Sequence, residues 1–166
     1  MSLRIITTGG TFDKHYEPIT GQLGFAESTL PQLLARARVA EPALLEPLMA
    51  IDSLEMTDAH REAILAACRA SAEHRIVIIH GTDTLTDTAR VLAAANLPAT
   101  IVLTGAMVPA RIEGSDAPFN LGFACACAQT LPSGVWVAMN GQANAWNAVR
   151  KNRAIGRFEA VLPPSP

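Results

Sequence analysis

The stretch IIHGTDTLTDTA, residues 78–89, joins two kinds of text. An apolar run, Ile76 to Ile79, closes on His80, Gly81, Thr82, Asp83 and Thr84, and a helical pattern follows. The continuous apolar run suits a buried strand covered on both faces. Thr82, Asp83 and Thr84 are each good helix caps. One cap suffices, so the segment is either a well-capped turn or half of an active site. The backbone N–H groups at such a helix start favour an anionic ligand group.

Working outward, similar Ile- and Val-rich runs occur at 4–8, 75–80, 100–105 and 134–140, with a weaker one at 45–53. Between them lie helical patterns. Ser28 and Thr29 before Pro31 open a helix to about Arg38, and others cover 58–71, 83–95 and 117–131. Strand and helix alternate. The expected fold is α/β: a doubly wound, mostly parallel sheet with helices on both faces, flavodoxin- or Rossmann-like, in a single domain over 1–166. The last residues, 161–166, read as a tail or docked end. Ligands of such sheets bind beyond the carboxyl ends of the strands, so those ends are where chemistry is sought.

Bulk composition narrows the partners. The chain has 166 residues, 49% apolar and 17% charged, with a net charge of −2. No basic patch stands out, which argues against nucleic acid. No apolar stretch reaches about 18 residues, which argues against a membrane span. The N-terminus is too poor in apolar residues for a signal-peptide core. Cys68, Cys125 and Cys127 form an odd set without metal spacing and read as small core residues, so the cytoplasm is the expected compartment.

Polar residues gather at the strand ends. TTGGTFDKHY, residues 7–16, offers Gly9 and Gly10 for a tight turn and then Thr11. It lacks the Gly-Lys-Ser/Thr ending of a phosphate loop. By itself it is also a plain glycine turn. Asp52 and Ser53 are turn formers or binding groups. His80 alone reads as a structural hydrogen-bonding residue. Arg111, Glu113, Ser115 and Asp116 read as surface loop residues. Arg150, Lys151 and Arg153 look like a solvated charge cluster, yet their segment reaches the same sheet edge. Thr11, Thr82, Asp83 and a lysine are therefore candidates to converge. A threonine hydroxyl becomes a nucleophile when a neighbour removes its proton. A lysine does this when burial lowers its pKa from about 10.4 toward neutral, while an adjacent carboxylate opposes that shift and orients the amine. The chemistry suggested is acyl transfer.

TTGGTF at 7–12, paired with HGTDTLTDTA at 80–89, resembles the two signature segments of the bacterial-type L-asparaginases. TGAMVPARIEGSDAPFNL (104–121) and VAMNGQANAWNAVRKNRAIGRF (137–158) resemble that family in the same order. The family's usual subunit is about twice this length, so the chain resembles its N-terminal domain with the second domain absent. The resemblance implies hydrolysis of L-asparagine to L-aspartate and ammonia, with no cofactor and no metal. It implies Thr11 as nucleophile and Thr82, Asp83 and Lys151 as a polar triad, the last placed through VRKNR. It implies Tyr16 as a tyrosine on a mobile lid, residues 9–27, with Gly9, Gly10, Gly21 and Gly24 allowing movement. Ser53 is implied as the binder of the substrate α-carboxylate and Asp83 of the α-ammonium. Gly10 and Gly81 join the substrate-binding set. Leu54 stands where family members often carry glutamine, which predicts weak substrate affinity. Relatives complete the site with an acidic residue of a neighbouring subunit's second domain, and they pair, so a homodimer or larger assembly is expected. Glutamine or another small amide as substrate, and a non-catalytic aspartate-binding role, remain as alternatives.

Overall fold

The computed structural model describes residues 2–40 and 43–161. In chain order the elements are β1 (Arg4–Gly9), a hairpin of β2 (Lys14–Glu17) and β3 (Gln22–Phe25), α1 (Leu30–Arg36), β4 (Leu44–Ile51), α2 (Asp58–Ala70), β5 (Arg75–Ile79), α3 (Leu85–Ala94), β6 (Thr100–Thr104), α4 (Ala117–Thr130), β7 (Gly134–Met139), β8 (Gln142–Ala145), β9 (Val149–Asn152) and β10 (Arg157–Ala160). The main sheet has the order β4-β1-β5-β6-β7-β8. Its first five strands are mutually parallel, and β8 returns antiparallel to β7. By rank along the chain the parallel strands stand 2-1-3-4-5. This is the flavodoxin-like winding order, whose direction reverses between β1 and β5.

Alternation of side chains along each strand builds a core on each face of the sheet. Ile6, Ile76, Ile78, Ile101, Leu103 and Val137 pack against Ile64, Cys68, Leu85, Ala89 and Leu92 of α2 and α3. Ile5, Val77, Ile79, Val102 and Ala138 face Leu30 of α1 and Leu121, Ala124 and Ala128 of α4. The two-sided burial explains why β5 and β6 are uninterrupted apolar text. The weak run near 45–53 is β4, an edge strand with Leu44 and Leu45 exposed. An edge strand is less fully covered, so its apolar signal is diluted.

The structure adds elements that the apolar runs do not announce. β7 turns into β8 through Asn140 and Gly141, both at positive φ (51° and 81°), the two-residue hairpin that Asn-Gly favours. That dipeptide was the available signal. The β2–β3 and β9–β10 hairpins lie outside the main sheet. Two surface-loop expectations are corrected. Asp116 is half-buried, and its carboxylate accepts from Met107 N at 3.0 Å, Val108 N at 3.0 Å and Asn120 Nδ2 at 2.9 Å. The Ser115 hydroxyl donates to Val108 O at 2.7 Å. Together they shape the loop before α4. Cys68 and Cys127 are buried as expected, whereas Cys125 is half-buried at the rim of its core. Of the end segment 161–166 only Val161 is described; its N–H donates to Ala148 O at 2.8 Å, and the rest lies outside the described residues. Among the described residues no helix is long and apolar enough to cross a membrane.

Candidate active site

The site is built where the winding reverses. Beyond the ends of β1 and β5, two backbones touch. A Cβ on Gly10 would lie 2.4 Å from Gly81 Cα, so only glycine allows this approach. Gly10 also sits at φ 77° and donates from its N–H to Ile51 O at 3.0 Å, which ties in the end of β4. A Cβ on Gly81 would in turn meet Ser53 Oγ at 2.5 Å. Residues from three strand ends thus share one small space. Thr11 and Thr82, each one position past a touching glycine, are drawn to the same edge.

Thr11 is held from both sides. Gly10 is pinned, and Phe12 is wholly buried in the core on the α1–α4 face, with its carbonyl accepting from Ala110 N at 3.2 Å. Residues 9 and 10 are therefore packed and not free hinges, which corrects the expectation that they let a lid swing. The half-buried Thr11 side chain makes no hydrogen bond among the described residues. Its position comes from the backbone alone.

None of the three candidate caps in HGTDT acts through its side chain as a cap. Thr84 occupies the cap position of α3 without a side-chain capping bond. Its hydroxyl donates to Ser53 O at 2.7 Å, which fastens the 53–55 turn to the start of α3. The other two meet a lysine: Lys151 Nζ donates to Thr82 Oγ1 at 2.7 Å and to Asp83 Oδ1 at 2.8 Å. Arg153 reaches the same aspartate, with its Nη2 donating to Asp83 O at 3.3 Å. His80 is fully buried, bonded to Gly81 O and Thr88 Oγ1, and is a structural group.

The β9–β10 hairpin delivers Lys151. Val149 and Lys151 share one face of β9, and Phe158 lies across from Lys151 on the same face. Val149 and Phe158 are buried in the core beside α2 and α3, and their burial carries the lysine inward. The opposite face is polar: Asn152 Nδ2 donates to Glu159 Oε1 at 2.8 Å, and Arg150 pairs with Glu159 at 3.4 Å. The apparent charge cluster thus divides, with exposed Arg150 and Arg153 flanking an inward lysine.

Ser53 is buried, and its hydroxyl has no hydrogen-bond partner among the described residues. Asp52 caps its turn by accepting from Leu54 N at 3.0 Å. The other carboxylate oxygen of Asp52 is paired with Lys14 of β2. This ion pair, the following backbone N–H and the more distant Lys151 hold the Asp52 carboxyl below its usual range, against a smaller effect of burial. Tyr16 is exposed and makes no side-chain hydrogen bond among the described residues, but it shares a face of β2 with Lys14. Sequence reading missed Lys14, its pairing with Asp52, and the bond of Thr84 to Ser53. Lys14 carries no local signal, because its partner is 38 residues away in the chain.

The geometry has close relatives. A family model described as "Asparaginase, N-terminal" matches residues 2–161. L-asparaginase 1 of Escherichia coli is 28% identical over 174 residues, covering 99% of this chain and 51% of the relative. One component of the glutamyl-tRNA(Gln) amidotransferase of Aeropyrum pernix is 32% identical over 151 residues, covering 83% of this chain and 34% of the relative. The solved thermostable L-asparaginase of Thermococcus kodakarensis superposes with a TM-score of 0.85 at 29% identity, over 99% of this chain and 52% of that one. The chain therefore spans about half the length of the asparaginases it matches. With the family model matching nearly its whole length and the polar strand ends meeting at the switch point, the chain belongs to the asparaginase family and corresponds to its N-terminal part.

Proposed function

We propose that this chain is an amidohydrolase that converts L-asparagine to L-aspartate and ammonia through a threonine nucleophile. The observation that carries the reading is Lys151 Nζ within hydrogen-bond distance of both Thr82 Oγ1 and Asp83 Oδ1, at the same strand ends that present Thr11 and Ser53. The substrate carboxylate lies at Ser53, its ammonium at Asp83, and Gly10 and Gly81 form the floor. The Thr11 hydroxyl attacks the side-chain amide carbon. Tyr16, on the face of β2 that carries Lys14, approaches Thr11 as that hairpin closes over the substrate. Donors near Thr82 hold the oxyanion of the tetrahedral intermediate. The C–N bond breaks, the nitrogen takes up a proton, and ammonia leaves a β-aspartyl ester on Thr11. Water then adds to the ester carbonyl, L-aspartate departs and the hydroxyl is restored. Lys151 and Asp83 keep Thr82 oriented throughout. A second copy of the chain is the expected protein partner.

Likeness to an amidotransferase component favours one alternative: that another amide, such as glutamine, is the preferred substrate. Leu54, exposed beside Ser53, puts an apolar side chain and no amide on that side of the turn. Ammonia release from asparagine and from glutamine distinguishes the two. Lys151→Met is expected to lower kcat by at least about a hundredfold, and Thr11→Ala to abolish formation of a covalent aspartyl adduct seen by intact mass. Full turnover by Thr11→Ala would instead assign the attack to Thr82.

A further inference from the structure

Lys14 stands three positions after Thr11, and nothing in the catalytic scheme above uses it. Its side chain lies on the face of β2 shared with Tyr16, and its ammonium rests on Asp52, next to Ser53. Asp52 accepts from Leu54 N with its remaining oxygen and cannot turn away without losing that bond. The ring of Phe25, opposite Lys14 in the hairpin, lies 5.7 Å from the ammonium and steadies it from another side. An ammonium has three donors. Among the described residues Asp52 is the only hydrogen-bond partner of the Lys14 ammonium, so its other donors remain available.

The neighbouring groups show what those donors await. Ser53 is 1% exposed and its hydroxyl has no partner among the described residues, although it faces Gly81 in the cleft. That hydroxyl is unpaired and open to the cleft, and with an ammonium with spare donors on the neighbouring residue it suits an anionic ligand group. Lys151 adds positive charge at Thr82, the residue after the Gly81 that abuts Ser53. A carboxylate at Ser53 would thus lie near both amines, while Asp83 offers the negative charge for an ammonium.

We propose that Lys14 is a specificity-determining residue, binding with Ser53 the carboxylate that the substrate carries apart from the amide under attack. The inference rests on the amide-hydrolase reading for its substrate class, but its test does not require turnover. The purified chain is titrated with L-aspartate and with β-alanine, which is aspartate without its α-carboxylate. Lys14→Met is expected to weaken L-aspartate binding on the order of tenfold to a hundredfold and to leave β-alanine unchanged. Lys14→Arg, which keeps the charge, is expected to retain most of the affinity. With L-asparagine the same loss appears in KM with kcat little altered, while 3-aminopropanamide, the amide lacking the α-carboxylate, is hydrolysed equally by both forms. Equal losses for both members of a pair would mean that Lys14 only positions the hairpin, and would overturn the proposal. A wild-type chain that binds neither aspartate nor β-alanine would overturn it as well. A chain that releases no ammonia yet binds L-aspartate through Lys14 sinks the hydrolase reading and leaves this one standing.

Discussion

His80 shows how one enclosed residue sets a pH limit. Its Nδ1 lies 2.7 Å from Gly81 O, which only accepts, so Nδ1 carries the hydrogen and Nε2 accepts from the Thr88 hydroxyl. The ring is neutral. Burial is the main cause that lowers its pKa from 6.5 to about 4, ahead of the opposing pull of the Gly81 carbonyl. The unfolded chain takes up this proton near pH 6.5 and the folded chain only near pH 4. The contribution to stability is therefore complete above about pH 6.5 and is lost as pH falls toward 4, by up to about 3 kcal/mol. Urea midpoints at pH 7 and 4.5 test this: His80→Gln is expected to lose less stability than wild type across that interval. Identical losses would count against it. The same residue argues for what sequence text can reveal. His80 sits in the motif, and its structural role was the expectation. Its partner Thr88 is one helical turn into α3, within local reach.

At the scale of elements, the contact between the ends of β1 and β5 is the constraint that assembles the site. Gly10→Ala places a methyl 2.4 Å from backbone and forces a strained positive φ, so the two strand ends must part. A loss of at least about 3 kcal/mol is expected, with much of the activity. Gly21→Ala is the control. It also sits at positive φ, 68°, but nothing lies within 4 Å of the new methyl, so about 1 kcal/mol is expected from the backbone alone. Urea denaturation of both variants checks the contrast, and equal costs would mean that the strand-end contact is not tight. Helices and buried strands were legible because both repeat a local pattern. The β2–β3 and β9–β10 hairpins were not, since their polar faces alternate over too few residues to rise above loop text.

At the scale of the whole molecule, α4 draws notice. It carries no charged residue along its length, yet Phe119, Gly122 and Ala126 are exposed on its outer side. A surface helix normally turns charge outward, and exposed apolar area favours self-association. We expect light scattering to report a dimer or larger assembly, and Phe119→Glu to shift it toward the monomer. A monomeric wild type would refute this.

The sequence by itself determined the alternation of strand and helix, the two buried faces, and a surplus of hydroxyls and carboxylates at the strand ends. These follow from backbone periodicity and burial, which act over a few residues. It did not determine what the surplus does. Thr82 and Asp83 read equally as caps until Lys151, 69 and 68 positions away, is seen on them, and Asp52 reads as a turn former until Lys14 arrives. Those meetings depend on the 2-1-3-4-5 winding and on two hairpins, of which β9–β10 is anchored by distant packing. Only the assembled sheet brings such remote groups within the 3 Å or so at which a hydrogen bond forms.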